Sequence, residues 1–258
     1  MKNIRKMIHP VEFSMDRISG YRIMNALGEF ESGNVDPAGE DVCRWEDVSG
    51  PPRLPTPAPA GEQMTLASDD VADNGTAVTG VLSVRIDYLD ADGNEQSEDV
   101  TLNGTTPVDT VATDIRFVND FYALTVGSNG VAEGNITIIK KGGAILTDLY
   151  NLIALGGNQS LVPHRMVPLG HTLYLQGWHA EEAQGKRSAF RIRSTDKNGV
   201  ITPGVFLFKD TVYLNQSVSG DRQLHTTVPE LSIVKVSHWD DVAAAEGTCG
   251  WWGILRKD

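Results

Sequence analysis

The feature that most constrains this chain is a regular alternation of apolar and polar side chains at positions 82–88. Even positions are apolar and odd positions polar: Leu82, Val84, Ile86 and Tyr88 against Ser83, Arg85 and Asp87. Successive side chains of a strand point to opposite faces, so this pattern predicts a strand with one buried face. Residues 90–94 (Asp-Ala-Asp-Gly-Asn) follow, and they predict a hairpin turn because Gly93 can adopt a positive φ.

Comparable segments recur along the rest of the chain at roughly ten-residue spacing. In the first half they are 100–102, 115–118, 121–126 and 135–139, and in the second half 171–179, 188–194, 205–208, 211–214, 231–239 and 248–255. This spacing predicts an all-β fold built of β-sandwich modules. The denser second set is typical of a jelly roll, so we expect the second module to be jelly-roll-like.

Composition divides the chain into three parts. Residues 1–60 end in a segment, 51–59, in which five of nine residues are proline, and proline fixes φ and removes a donor. We expect an extended Pro-rich N-terminal arm here, either a plain linker or an arm that packs on a neighbouring subunit and becomes ordered only on assembly. Two modules follow, at 61–143 and 144–258. Residues 144–154 fit either a short helix or a strand.

Charge and cysteine content exclude some function classes. The net charge of -12 argues against general nucleic-acid binding, which needs a basic surface, and suits a protein that stays soluble at high concentration. The sequence contains no apolar run long enough for a membrane helix and no secretory signal pattern at its start. Cys43 and Cys249 are therefore expected to be structural, unpaired thiols.

Three groups of polar residues are candidate sites of chemistry. His171 and His179 share parity, but on one straight strand they would lie about 27 Å apart, too far to share a metal. The loop at 90–94 resembles part of a calcium loop but has glycine at the wrong position, and the hairpin interpretation is preferred. The acidic cluster at 69–73 could bind a cation weakly, although a solvated loop is favoured. We expect no catalytic residue, cofactor or metal.

Aromatic residues give the candidates for a protein interface. Trp251 and Trp252 are adjacent in a predicted strand, so one should face the core and the other the solvent. An outward tryptophan marks a subunit contact or a sugar platform. The candidate interface residues are Phe13, Tyr21, Trp45, Trp251 and Trp252.

Several strings, taken in order, resemble virion structural proteins of tailed bacteriophages, notably marine ones. They are Val-Arg-Ile-Asp-Tyr-Leu-Asp-Ala-Asp-Gly at 84–93, Val-Thr-Leu-Asn-Gly-Thr-Thr-Pro-Val at 100–108, Gly-Asn-Ile-Thr-Ile at 134–138 and Val-Pro-x-Gly-x-Thr-x-Tyr-Leu-x-x-Trp at 167–178. The resemblance covers about residues 65–178 and offers no catalytic residues to transfer.

The resemblance implies a non-enzymatic particle component, assembled in the host bacterial cytoplasm and located in the virion. It would be a head decoration (cement) subunit or a tail or connector accessory subunit. Its partners would be other copies of itself, with a trimer favoured, and virion proteins such as the major capsid or the tail and portal proteins; we expect neither nucleic acid nor membrane as a partner. The alternatives are a host-surface glycan-binding tail or fibre module and a glycan-degrading enzyme.

Overall fold

The computed structural model describes residues 18–31, 59–76, 79–144, 148–182, 185, 187–197, 199–202, 204–215, 219–240 and 246–258. The predicted interface residues Phe13 and Trp45, and Cys43, lie outside these ranges. Within them the chain is almost entirely β, which confirms the all-β prediction, and no helix is long and apolar enough to cross a membrane.

The described residues form seventeen strands in five antiparallel sheets. In chain order the strands are β1 (Tyr21–Glu31), β2 (Met64–Ser68), β3 (Val81–Leu89), β4 (Glu95–Thr101), β5 (Val108–Asp109), β6 (Phe117–Val126), β7 (Ile136–Lys140), β8 (Leu149–Ile153), β9 (His164–Met166), β10 (His171–Glu182), β11 (Arg187–Ser194), β12 (Asp196–Lys197), β13 (Val200–Ile201), β14 (Leu207–Asn215), β15 (Ser219–Val228), β16 (Ile233–Asp240) and β17 (Glu246–Lys257).

The first unit contains β2 to β8, in two sheets of order β5-β2-β7-β8 and β4-β3-β6. Both sheets contribute to one apolar core, in which Leu66 and Ile138 from one sheet join Ile86 and Phe121 from the other. The predicted alternation is confirmed in β3 for residues 84–88, because Val84, Ile86 and Tyr88 are buried whereas the polar residues between them are partly exposed; Leu82 is only partly buried. Burial of one face of each sheet is what holds these short strands together.

The predicted hairpin between β3 and β4 is also confirmed. Leu89 pairs with Glu95 across the turn. The Asp90 carboxylate accepts a 2.8 Å hydrogen bond from the backbone N–H of Asn94, and Gly93 has a φ of 88°. The acidic side chain of this loop therefore closes the turn, as side chains of Asp commonly do.

The second unit contains β1 and β9 to β17, and its two large sheets have the orders β1-β17-β10-β15 and β14-β11-β16-β9. Counted along the chain without the small β12–β13 hairpin, its eight strands pair as a nested series: first with eighth, second with seventh, third with sixth and fourth with fifth. Both sheets fill one core, which includes Trp178, Phe190, Val236 and Trp251.

The prediction of an extended arm over residues 1–60 is wrong for Tyr21–Glu31. This segment is β1, and all eleven of its residues pair antiparallel with β17, from Tyr21 against Arg256 to Glu31 against Glu246. Ala26 lies in the core of the second unit. The first unit is consequently inserted between the first and second strands of the second unit.

The predicted module boundary at 143/144 also differs from the structure. β8 pairs with β7 along Ile136–Ile139, so residues 149–153 belong to the first unit and the chain enters the second unit near residue 160. Residues 149–153 are a strand, whereas residues 145–147, which the helix alternative also included, lie outside the described residues. Leu149 and Leu152 of β8 also contribute to the core of the second unit.

The two units contact each other through polar and apolar groups. Asn119 in β6 donates its amide to the carbonyl of Met166 at 3.0 Å and accepts the Met166 backbone N–H at 2.8 Å. An apolar cluster beside this pair joins Leu89 and Phe117 of the first unit to Met166 and Ile233 of the second. These contacts fix β9, the shortest strand of its sheet, against the first unit.

We predict that deleting residues 1–31 abolishes cooperative unfolding of the second unit. The deletion uncovers the edge of β17 and removes Ala26 from the core, while the first unit keeps all of its strands. Deletion of residues 1–17 alone is the matched control, because it keeps all eleven residues of β1. Urea unfolding followed by tryptophan fluorescence checks this, since Trp178 and Trp251 lie in the second core. Equal stability of the two truncated chains would contradict the assignment of β1.

Candidate functional site

The two adjacent tryptophans divide as predicted, but only one of them can meet a partner. Trp251 is 2% exposed, packs in the core and donates its indole N–H to the carbonyl of Pro163 at 3.0 Å. Its prediction as an interface residue is therefore wrong, because it is enclosed by its own subunit. Trp252 is 40% exposed on the outer face of the β1-β17-β10-β15 sheet.

The register of the three strands around Trp252 arranges the outer face in five rows. Residues directly opposite on paired strands share a face, so each row takes one residue each from β1, β17 and β10. The rows are Glu29–Thr248–Glu181, Leu27–Gly250–His179, Asn25–Trp252–Gly177, Ile23–Ile254–Tyr174 and Tyr21–Arg256–Thr172. We call these five rows the Trp252 face.

Two glycines make the centre of the Trp252 face flat. A Cβ added to Gly177 would lie 3.0 Å from the indole nitrogen of Trp252, so the ring extends across this glycine. A Cβ on Gly250 would lie 2.4 Å from Cε1 of His179 and 2.9 Å from a methyl carbon of Leu27. The large side chains therefore fold over the glycines of neighbouring strands instead of standing away from the sheet.

The three central rows are mainly apolar, and their outermost side chains reach solvent. Leu27 is 48% exposed and Trp252 40%, while Ile23, Ile254 and Tyr174 are partly buried. The end rows are polar. A continuous apolar surface rimmed by polar residues is the usual composition of a binding site for another molecule.

Tyr21, the remaining predicted interface residue, lies in the row at one end of the Trp252 face. It is partly buried, and its partner on β17 is Arg256. The guanidinium of Arg256 lies 5.2 Å from the ring centre of Tyr174 and donates to the carboxylate of Asp258 at 2.7 Å. Tyr21 and Trp252 are thus brought to one surface by the pairing of β1 with β17.

A β-bulge separates His171 from His179, which were expected on one side of a straight strand. The register shifts between Leu175 and Gly177. The core face consequently passes from Leu173 and Leu175 to Trp178. His171 therefore lies on the same side of β10 as Leu173 and Leu175, whereas His179 lies on the outer face. The described residues contain no group of three or more His, Cys, Asp or Glu side chains that could hold a metal ion.

The acidic cluster at 69–73 is solvent-exposed at Asp69 and Val71, as expected of a loop, but its last residue, Asp73, is a structural element of the first unit. The Asp73 side chain is completely buried. Its carboxylate accepts hydrogen bonds from the Ser68 hydroxyl at 2.6 Å and from the backbone N–H groups of Val81, Glu133 and Gly134 at 2.7, 3.1 and 2.9 Å. Four donors satisfy this buried charge, so it ties three loops together instead of offering ligands to a cation.

Two arginines of β11, Arg191 and Arg193, are largely covered by neighbouring side chains. Arg193 is 3% exposed and donates to the hydroxyl of Ser237 at 2.5 Å. The guanidinium of Arg191 lies 3.9 Å from the ring centre of Phe208 on the neighbouring β14. Stacking on an aromatic ring is a common way to accommodate arginine at a sheet surface.

Two histidines are buried without a role in the Trp252 face. Burial lowers the pKa of His164 to about 3, even though its Nε2 lies 3.3 Å from the carbonyl oxygen of Val236. Burial likewise lowers the pKa of His238 to about 4, and its ring packs on that of Phe190. Both imidazoles are neutral in the folded protein near pH 7.

Comparison of the chain with protein-family models, with curated proteins and with solved structures found no match. The Trp252 face is therefore the feature of the described residues from which a function is inferred.

We predict that stability falls as the pH drops below about 6.5, the pKa of an unfolded histidine. Below that pH the histidines of the unfolded chain bind protons, whereas His164 and His238 in the folded protein stay neutral until the pH approaches their lowered pKa values. Protonation therefore favours the unfolded state. For each of the two histidines, the free energy of unfolding then falls by up to roughly 1.4 kcal/mol per pH unit. Urea unfolding at pH 6.8 and 5.2 measures it. His164→Gln should reduce the difference, whereas His225→Gln, at an exposed position of β15, should not. An unchanged difference in His164→Gln would contradict this explanation.

Proposed function

We propose that this protein is a non-enzymatic structural subunit of a tailed-bacteriophage particle. It would assemble on the particle as a head decoration subunit or as a tail or connector accessory subunit. The observation that carries the proposal is the flat apolar surface centred on Trp252, which lies on a rigid sheet and has a polar rim. Such a surface suits permanent contact with another protein, because burying it removes apolar area from water.

We further propose that the first unit is a β-sandwich and the second a jelly roll. Two sheets around a common core support the sandwich. Nested pairing of eight strands, first with eighth through fourth with fifth, supports the jelly roll, whose two Greek keys require that order. Jelly rolls recur in capsid and lectin domains, so the fold is compatible with an assembly role and does not by itself specify one.

The assembly proposal predicts rebinding to particles. Purified protein is mixed with phage heads or with phage tails that lack it, and it should bind to either the heads or the tails. Mass photometry and quantification of the protein bound to the particles give the copy number. High copy number on heads identifies a decoration subunit, and a few to a dozen copies on tails identify a connector or tail subunit. Trp252→Glu should weaken binding if the Trp252 face is used. Failure to bind either particle part would contradict the proposal.

The alternative function is recognition of a host-surface glycan, and one specific observation favours it. The indole of Trp252 lies across Gly177 with 40% of the residue exposed, and a flat aromatic ring is a platform for the apolar face of a sugar. Asn25, in the same row, offers an amide for sugar hydroxyls.

For this alternative we expect the purified protein to bind host lipopolysaccharide or capsular polysaccharide, and Trp252→Ala to lose most of that binding. Tyr213→Ala is the matched control, since Tyr213 is 74% exposed on β14 of the other sheet. Isothermal calorimetry with purified polysaccharide measures both variants. Equal binding by Trp252→Ala and wild type would exclude the tryptophan platform.

A further inference from the structure

We infer that the Trp252 face binds uncharged pyranose residues of a host-surface polysaccharide. The indole of Trp252 is the stacking platform, and the amides of Asn25 and Gln223 bind sugar hydroxyls on either side of it. The inference rests on the alternative function proposed above, recognition of a host glycan, and adds the class of sugar and the residues that select it.

The central row of the Trp252 face continues onto a fourth strand. Gly177 pairs with Trp252 on one side and with Gln223 of β15 on the other, so the complete row is Asn25–Trp252–Gly177–Gln223. Asn25 and Gln223 are both exposed. Neighbouring strands lie ~4.8 Å apart, which places the backbones of these two residues about 14 Å apart with the indole between them. Each amide offers two N–H donors and a carbonyl acceptor, the complement that adjacent sugar hydroxyls require.

Trp252 is the open aromatic ring of this surface. Its indole nitrogen lies 3.0 Å from the position that a Cβ would take on Gly177, so the ring lies low over the glycine, and the residue is 40% exposed. Tyr174, in the next row, is partly buried, and the guanidinium of Arg256 lies 5.2 Å from its ring centre. A pyranose carries its hydroxyls around the edge of the ring and C–H groups on its faces. Stacking on Trp252 therefore buries C–H groups and leaves the hydroxyls to the flanking amides.

The charges around the row favour an uncharged sugar. None of the four residues of the row is charged, and the end row on one side carries the exposed carboxylates of Glu29 and Glu181. At the other end the guanidinium of Arg256 is already paired with the carboxylate of Asp258 at 2.7 Å. The whole chain has a net charge of -12. A polysaccharide that bears carboxylates or phosphates is therefore repelled, whereas a neutral one is not.

The open shape of the surface predicts weak binding of a single sugar. A ligand on a flat sheet keeps one of its faces in water, unlike a ligand enclosed in a pocket, so we expect a dissociation constant on the order of millimolar for a monosaccharide. Many copies of the site on one particle bind a repeating polysaccharide far more tightly, because each further contact is intramolecular. A virion subunit, as proposed above, supplies this repetition.

Nuclear magnetic resonance of the full chain tests the platform. Methyl glycosides of glucose, galactose and mannose are the probes, and the indole N–H signal of Trp252 is identified by its loss in Trp252→Phe. We expect at least one glycoside to shift this signal, and the backbone amides of β10, in a saturable manner. Trp252→Ala should bind at least about tenfold more weakly, and Asn25→Ala or Gln223→Ala about threefold more weakly, the loss typical of one neutral hydrogen bond.

Tyr213→Ala, on the other sheet, is the control for these titrations and should bind as wild type does. The absence of a saturable shift with all three glycosides, or equal binding by Trp252→Ala and wild type, would overturn the inference.

Native gels that contain polysaccharide test the class of sugar. We expect at least one neutral polymer, dextran or galactan, to retard the protein, and the anionic polymer polygalacturonate not to retard it. Glu29→Gln with Glu181→Gln should narrow this difference, because the variant removes the repelling carboxylates. Retardation by polygalacturonate alone, lost in Trp252→Ala, would overturn the neutral class and leave glycan recognition standing. Failure of these polymers and of the host polysaccharide to retard the protein would remove glycan recognition as well.

Discussion

The antiparallel pairing of β1 with β17 is the interaction on which the rest of the second unit depends. Eleven consecutive residue pairs place β17 inside its sheet, with hydrogen-bonded neighbours on both sides. β17 can then serve two environments at once. Cys249, Trp251 and Leu255 fill the core, while Trp252 and Ile254 form the outer surface. Without β1 the strand would be an unprotected edge, which is a common origin of non-specific pairing between chains.

This pairing also determines how the two units are connected. The chain completes the first strand of the second unit, forms the whole first unit, and only then supplies the second strand, β9. The entropic cost of closing such a long connection grows only slowly with its length, so a folded insertion is compatible with the nested pairing. Asn119 and Met166 hold β6 of the inserted unit against β9 through two reciprocal hydrogen bonds.

The sequence allowed prediction of strands whose two faces differ in polarity, and failed where both faces are apolar. Strand β3 has a buried face and a polar face, and its alternation was recognised. In β1, Ala26 faces the core but Ile23 and Leu27 face outward, so the two-residue period disappears and the segment resembles an irregular arm. The reason is the apolar Trp252 face itself: the property that makes this surface a candidate contact also hides the strand that forms it.

Parts of the candidate site show the same limit. The division of Trp251 and Trp252 between core and surface followed from strand geometry alone. The position of His179 did not, because the bulge near Gly177 reverses the parity of β10 and leaves no mark in the order of residue types. Burial of Asp73 was equally inaccessible, since two of its four donors are the backbone N–H groups of Glu133 and Gly134, which lie far along the chain.

The structure of the second unit and of its Trp252 face requires that β1 is a permanent strand of the isolated subunit. Hydrogen–deuterium exchange of the purified full chain, read by peptide-resolved mass spectrometry, tests this most directly. We expect the amides of residues 21–31 to be protected as strongly as those of β17, and to lose protection together with β17 as urea is added. Exchange of residues 21–31 at the rate of an unstructured peptide, with β17 still protected, would contradict the account and restore an arm that becomes ordered only on assembly.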